Sequence, residues 1–107
     1  ILLSYSLLYI ATSYQVPCEE DCEKMNNFNT AIRDGRDGYV LWSYRCGPNP
    51  NTDTICVFVK DTLGVNWNLL ADTACIIATQ KGLLQQKILI IKNFSSPVDT
   101  LARKSCP

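Results

Sequence analysis

VNWNLLADTACIIATQ, Val65 to Gln80, lies between a turn at Asp61 to Gly64 and another at Lys81-Gly82. Read as extended chain, it is a long strand interrupted near Leu70 to Asp72 by a bend or bulge. It then becomes the third strand of a series. Before it stands ICVFVK, Ile55 to Lys60, a β-branched and aromatic run that reads as the second strand. Before that, YVLWSYRC, residues 39–46, has the same character; Tyr39, Leu41 and Ser43 share one face, and Val40, Trp42 and Tyr44 the other. The breaker Gly47-Pro48-Asn49-Pro50-Asn51 separates these two. After it, KILIIKNF, residues 87–94, is a continuous apolar run suited to a covered strand, closed by Ser95-Ser96-Pro97. The tail through Leu101 to Cys106-Pro107 reads as short and anchored by Cys106.

A different periodicity precedes the strands. The charged run CEEDCEKM, residues 18–25, places Glu19, Glu20, Asp21 and Glu23 where a helix start favours acids. Met25, Phe28, Ala31 and Ile32 recur at helical spacing, and Asp34-Gly35 and Asp37-Gly38 end the segment. The acidic run itself reads as a solvated helix face. The fold class expected is mostly β: an antiparallel meander curling into a partial or small barrel, with a short N-terminal helix. A closed eight-stranded barrel needs more chain than 107 residues supply.

Composition narrows the function. Ten basic and ten acidic residues leave no net charge. That gives no electrostatic case for a nucleic-acid partner, which needs a basic surplus or stripe. There is no histidine, so the commonest general base and the usual metal ligand are missing. The expectation is a non-enzyme without cofactor or metal. Residues 1–13, ILLSYSLLYIATS, carry no charge and are too short to span a membrane. With Ala11 and Ser13 as small cleavage-site residues they read as a residual secretory signal peptide, followed by one domain over residues 14–107. The chain is expected to be secreted and extracellular, with no membrane partner.

Export decides the reading of Cys18, Cys22, Cys46, Cys56, Cys75 and Cys106. In an oxidising compartment an even set reads as disulfides, and six cysteines leave fifteen pairings open. Cys18-x-x-x-Cys22 has ligand-like spacing, but without a CxxC or a histidine it completes no zinc pattern. Asn93-Phe94-Ser95 is the sole N-glycosylation sequon, with Asn93 as acceptor.

The stretch from Asn27 to Leu41, NFNTAIRDGRDGYVL, resembles the N-terminal signature of tick salivary lipocalins (the histamine-binding-protein-like group). In that family a cysteine precedes a short helix ending in A-x-x-x-G-x-x-x-Y-x-L, which opens the first barrel strand. Ala31, Gly35, Tyr39 and Leu41 occupy those places, with Cys18 or Cys22 upstream. Cys56 and Asn66-Trp67-Asn68 are similar to the family's cysteine in strand two and Trp-bearing strand three. The resemblance covers roughly residues 18–70 and implies a disulfide-linked, shortened or partial lipocalin. The family's amine-binding acidic and aromatic motif has no counterpart, since no Glu follows Glu23.

The resemblance implies a function in saliva. The protein would sequester a small host mediator, a biogenic amine such as histamine or serotonin or a lipid such as a leukotriene, to perturb host defence. The family's pocket positions match Ile32 and Tyr39; strand alternation adds Leu41, and Phe58 and Trp67 are further aromatic candidates. An amine needs an aromatic face or a carboxylate, for which Asp37 and Asp72 are the candidate counter-ions. The alternatives are an inhibitor of host haemostasis or complement that binds a host plasma protein through loops such as Gly47 to Asp53, and a non-functional truncated product.

Overall fold

The computed structural model describes residues 20–36, 38–47, 53–93 and 97–107. The expected signal segment, Cys18, Glu19, Asp37 and most of the Gly47–Asp53 loop lie outside them, as do Phe94 and Ser95 of the sequon.

The first element is the helix read from the sequence, α1, Glu20–Arg33. Glu20, Asp21 and Glu23 stand in its first turn, where carboxylates offset the partial positive charge of free N–H groups. Met25, Phe28 and Ile32 are its buried stripe. Gly35 leaves the helix with φ +74°, and the Arg36 guanidinium turns back to donate to the Ile32 and Asp34 carbonyls at 3.2 and 3.0 Å. These bonds occupy acceptors that a helix end leaves unpaired.

The stretch that reads as a third strand is a helix, α2, Trp67–Gln80. Its apolar residues Leu70, Ala71, Ala74, Cys75, Ile77 and Ala78 repeat at three- and four-residue intervals, so one face buries. Asn66 caps the start: its side-chain oxygen accepts from the Leu69 N–H at 3.1 Å. At the far end Gly82 takes φ +84°, while Leu83 N–H donates to Ala78 O and Gly82 N–H to Thr79 O. This is a Schellman stop, and Leu83 is buried beneath it.

That helix changes the topology. The strands are β1, Val40–Arg45; β2, Thr54–Val59; β3, Lys87–Lys92; and β4, Thr100–Ser105. They form a four-stranded sheet in the order β1-β2-β3-β4. The pairs β1/β2 and β3/β4 are antiparallel, whereas β2 and β3 run parallel. A parallel neighbour requires a crossover, which α2 supplies. The sheet is mixed and does not close into a barrel, and the helices rival the strands in length. Mostly β, all-antiparallel architecture is therefore corrected to an open two-layer α+β arrangement. The tail contributes a strand: β4 pairs with β3 through Lys87↔Ser105, Leu89↔Arg103 and Ile90↔Ala102.

Both helices cover the same face. Phe28 and Ile32 from α1 and Leu70, Ala74 and Ala78 from α2 pack on Val40, Ile55, Val57, Val59, Ile88 and Ile90. The five strand residues from Ile55 to Ile90 in that set have no exposure. Burial of such apolar area is the main source of stability. Cys75–Cys106 ties α2 to the chain after β4, and Cys46–Cys56 joins the ends of the β1/β2 hairpin. Cys22 is also disulfide-bonded. The expected disulfide set is thus observed for all five described cysteines, a usage compatible with an extracellular protein. Among the described residues no helix is long and apolar enough to cross a membrane.

Candidate functional site

The face of the sheet opposite the helices carries the most distinctive chemistry. A bulge creates it. Val40 pairs with Val59 and Trp42 with Phe58, leaving Leu41 as the extra residue between them. Strict alternation would keep Val40, Trp42 and Tyr44 on one face. The bulge instead lets Val40 face the helices while Trp42 and Tyr44 point away, a re-aiming that bulges perform elsewhere.

The register sets these residues in rows. One row runs Trp42, Phe58, Ile91, Thr100 across the four strands; the next runs Tyr44, Cys56, Leu89, Arg103. Phe58 lies between two rings, with Trp42 stacked at 5.8 Å and 29°, and Tyr44 at 5.0 Å and 11°. Offset stacks of this kind stabilise beyond the area they bury. Phe58 is half-buried beneath its neighbours, but Trp42 and Tyr44 remain 39% and 49% exposed. The Cys46–Cys56 bridge sits beside Tyr44 and fixes the hairpin that carries the rings.

The outer edge of β1 is guarded. Ser43 N–H and Ser43 Oγ both donate to Asn29 Oδ1, at 2.9 and 3.0 Å. A side chain from α1 thereby occupies an edge amide that otherwise offers itself to another strand. At the other end of β1, Arg45 donates from Nε and NH2 to the two Asp21 carboxylate oxygens at 3.1 and 2.5 Å. Its NH1 also donates to Oε1 of the buried Gln86, whose Nε2 donates onward to Leu84 O. The acidic start of α1 is consequently held in part by cations: Asp21 by Arg45, and Glu20 by Lys24 at 3.1 Å. That differs from a wholly solvated face.

The ligand-binding residues expected from the sequence do not converge. Ile32 is sealed in the core. Tyr39 and Trp67 meet edge to face at 6.0 Å on the helix side, where Tyr39 borders a groove with Arg36 and Leu69. Leu41 is the half-buried bulge residue. Phe58 stands on the opposite face from these, and Asp72 is paired with Lys104 at 2.8 Å. Asp37 lies outside the described residues. Asn93, half-buried at the end of β3, donates its backbone N–H to Val59 O. Among the described residues no group of three His, Cys, Asp or Glu side chains converges as a metal site would.

Sequence reasoning missed Trp42 and Tyr44, although both appear on one face of the YVLWSYRC strand. Their signal was present; the bulge that turned them away from Val40 was not. No family model, curated protein or solved structure matches the chain.

Proposed function

We propose that this chain is an exported, non-catalytic binding protein that holds a small ligand against the helix-free face of its sheet. The observation that carries the proposal is the ring trio: Trp42 and Tyr44 flank Phe58 within 6 Å yet keep much of their own surface in water. A contiguous cluster of partly exposed rings is the kind of apolar surface that marks an interaction site, and rings supply broad contact area there. Disulfides on both hairpin and tail support an oxidising location.

The resemblance to tick salivary lipocalins supplies the ligand class: a host amine such as histamine or serotonin, or a lipid mediator such as a leukotriene. It does not supply the place. With an open sheet there is no barrel lumen, so the ligand lies on the sheet and the rings take the role of the pocket wall.

Titration of the secreted protein with histamine, serotonin and a leukotriene, followed by tryptophan fluorescence and calorimetry, tests this reading. At least one ligand should quench or shift the emission. Trp42→Ala should abolish that response while Trp67→Ala preserves it. Silence of the native protein toward all three in both measurements overturns small-molecule sequestration. Retention of a single plasma protein by the immobilised chain would then favour the loop-borne inhibitor.

A further inference from the structure

A groove of about 350 Å³ runs between α1 and β1, at the edge of the sheet away from β2. Of the three stacked rings only Tyr44, 49% exposed, lines it. The core residue Met25 supplies apolar lining, and Asn26, Asn29 and Ser43 bring amide and hydroxyl groups. That volume is at the small end for ligand pockets, whose usual make-up is an apolar wall with a few fixed polar groups.

The charges of the groove are already matched. Arg45 gives Nε and NH2 to the two Asp21 oxygens and NH1 to Gln86. Carboxylate and guanidinium compensate each other, so neither a cation nor an anion finds an unmatched partner in them. An added peptide strand is opposed as well, because Asn29 Oδ1 already holds the Ser43 N–H. The groups that stay available are neutral. Asn29 Oδ1 takes both Ser43 bonds, at 2.9 and 3.0 Å, while Asn29 Nδ2 donates to nothing among the described residues. Ser43 Oγ donates in that pair, and its lone pairs accept nothing among the described residues. A donor and an acceptor are thus held side by side by their own hydrogen bonds.

We infer that this groove is a binding site for a neutral saccharide ring, independent of the ligand proposed for the ringed face. Each sugar hydroxyl both donates and accepts, so a vicinal pair matches the Asn29 amide and the Ser43 hydroxyl together. The electron-rich face of Tyr44 packs against the C–H side of a pyranose, whose hydrogens are weakly positive. Because the polar groups are ordered before the ligand arrives, less freedom is lost on binding. The contacts are few, and a Kd of about 1 mM is expected for a single ring.

The probes are the methyl β-glycosides of glucose, galactose, mannose and N-acetylglucosamine, titrated to about 20 mM while the protein's amide chemical shifts are followed. At least one should shift the amides of Asn29, Ser43 and Tyr44 and approach saturation. Asn29→Asp keeps the acceptor that Ser43 uses and removes the donor. It should weaken binding about tenfold with the unfolding midpoint retained. Tyr44→Ala, at an exposed position, should weaken it about fivefold, and Trp42→Ala should leave it unchanged. Glucosamine and glucuronate should bind no better than glucose. Binding of either charged sugar about tenfold more tightly than glucose overturns the neutral ligand. No saturation by any glycoside overturns the groove as a sugar site, whatever the mediators do at the ringed face. Sugar binding that Trp42→Ala abolishes and Asn29→Asp leaves intact overturns it too, by placing the sugar on the rings.

Discussion

The two faces of one sheet are built on opposite plans. On the helix side, Ile55, Val57, Val59, Ile88 and Ile90 are aliphatic and have no exposure. Two amphipathic helices complete that layer, and its cohesion is that of any close-packed interior. On the other side three rings and a disulfide sulfur stand beside Leu89, Ile91 and Thr100; Cys56 and Ile91 are buried there too, but the outermost rings, Trp42 and Tyr44, stay partly open. The difference teaches where stability and recognition reside. Aliphatic residues interdigitate and seal a core, whereas rings present broad, rigid surface that remains useful to a ligand.

The comparison breaks first at Phe28, which has no exposure and sits between α1 and the sheet. Phe28→Ala should cost about 3–5 kcal/mol by urea unfolding with the disulfides intact, enough to unfold a marginal domain. Next come the bridges. Cys75–Cys106 closes a separation of 31 residues and Cys46–Cys56 one of 10. Chain-entropy arguments give about 3–4 kcal/mol for the first and about 2–3 for the second. Replacing each pair by serines and comparing unfolding midpoints should therefore rank the helix-side bridge above the hairpin bridge. The smallest effect belongs to Trp42→Ala. Losing its stack on Phe58 should lower stability by about 1 kcal/mol, although the same change removes the proposed ligand response. A loss at Trp42 as large as at Phe28 would show the ringed face to be a second core and not a binding surface.

Much of the framework was legible along the chain. The spacing Met25, Phe28, Ile32 located α1, and the β-branched runs located β1, β2 and β3. The Val65–Gln80 stretch was misread because its apolar residues are dense enough to satisfy a strand with one interruption. The deciding signals were the alanines Ala71, Ala74 and Ala78 at helical spacing, the Asn66 cap and the Gly82 stop. A strand in that place leaves no crossover between β2 and β3, so neither their parallel pairing nor the open sheet follows from it. β4 was missed for a different reason. TLARKS is polar because it is an edge, and an edge strand needs little apolar character to pair on one side.

The candidate site was less legible than the framework. Tyr39 and Trp67 do meet, but beside the helices. Ile32 went to the core, because a residue at the end of an amphipathic stripe packs wherever the sheet lies beneath it.

By itself, the sequence determined the local matters: helix and strand propensities, the turn positions, the even cysteine set and the lack of a histidine. Each rests on neighbours within a few residues, where periodicity and steric preference act directly. Only the tertiary structure decided which cysteines join, that β2 and β3 run parallel, and that a one-residue bulge at Leu41 turns Trp42 and Tyr44 away from the core. Those outcomes depend on register between distant segments. Shifting a strand by one residue exchanges its two faces, and the chain alone does not display that choice.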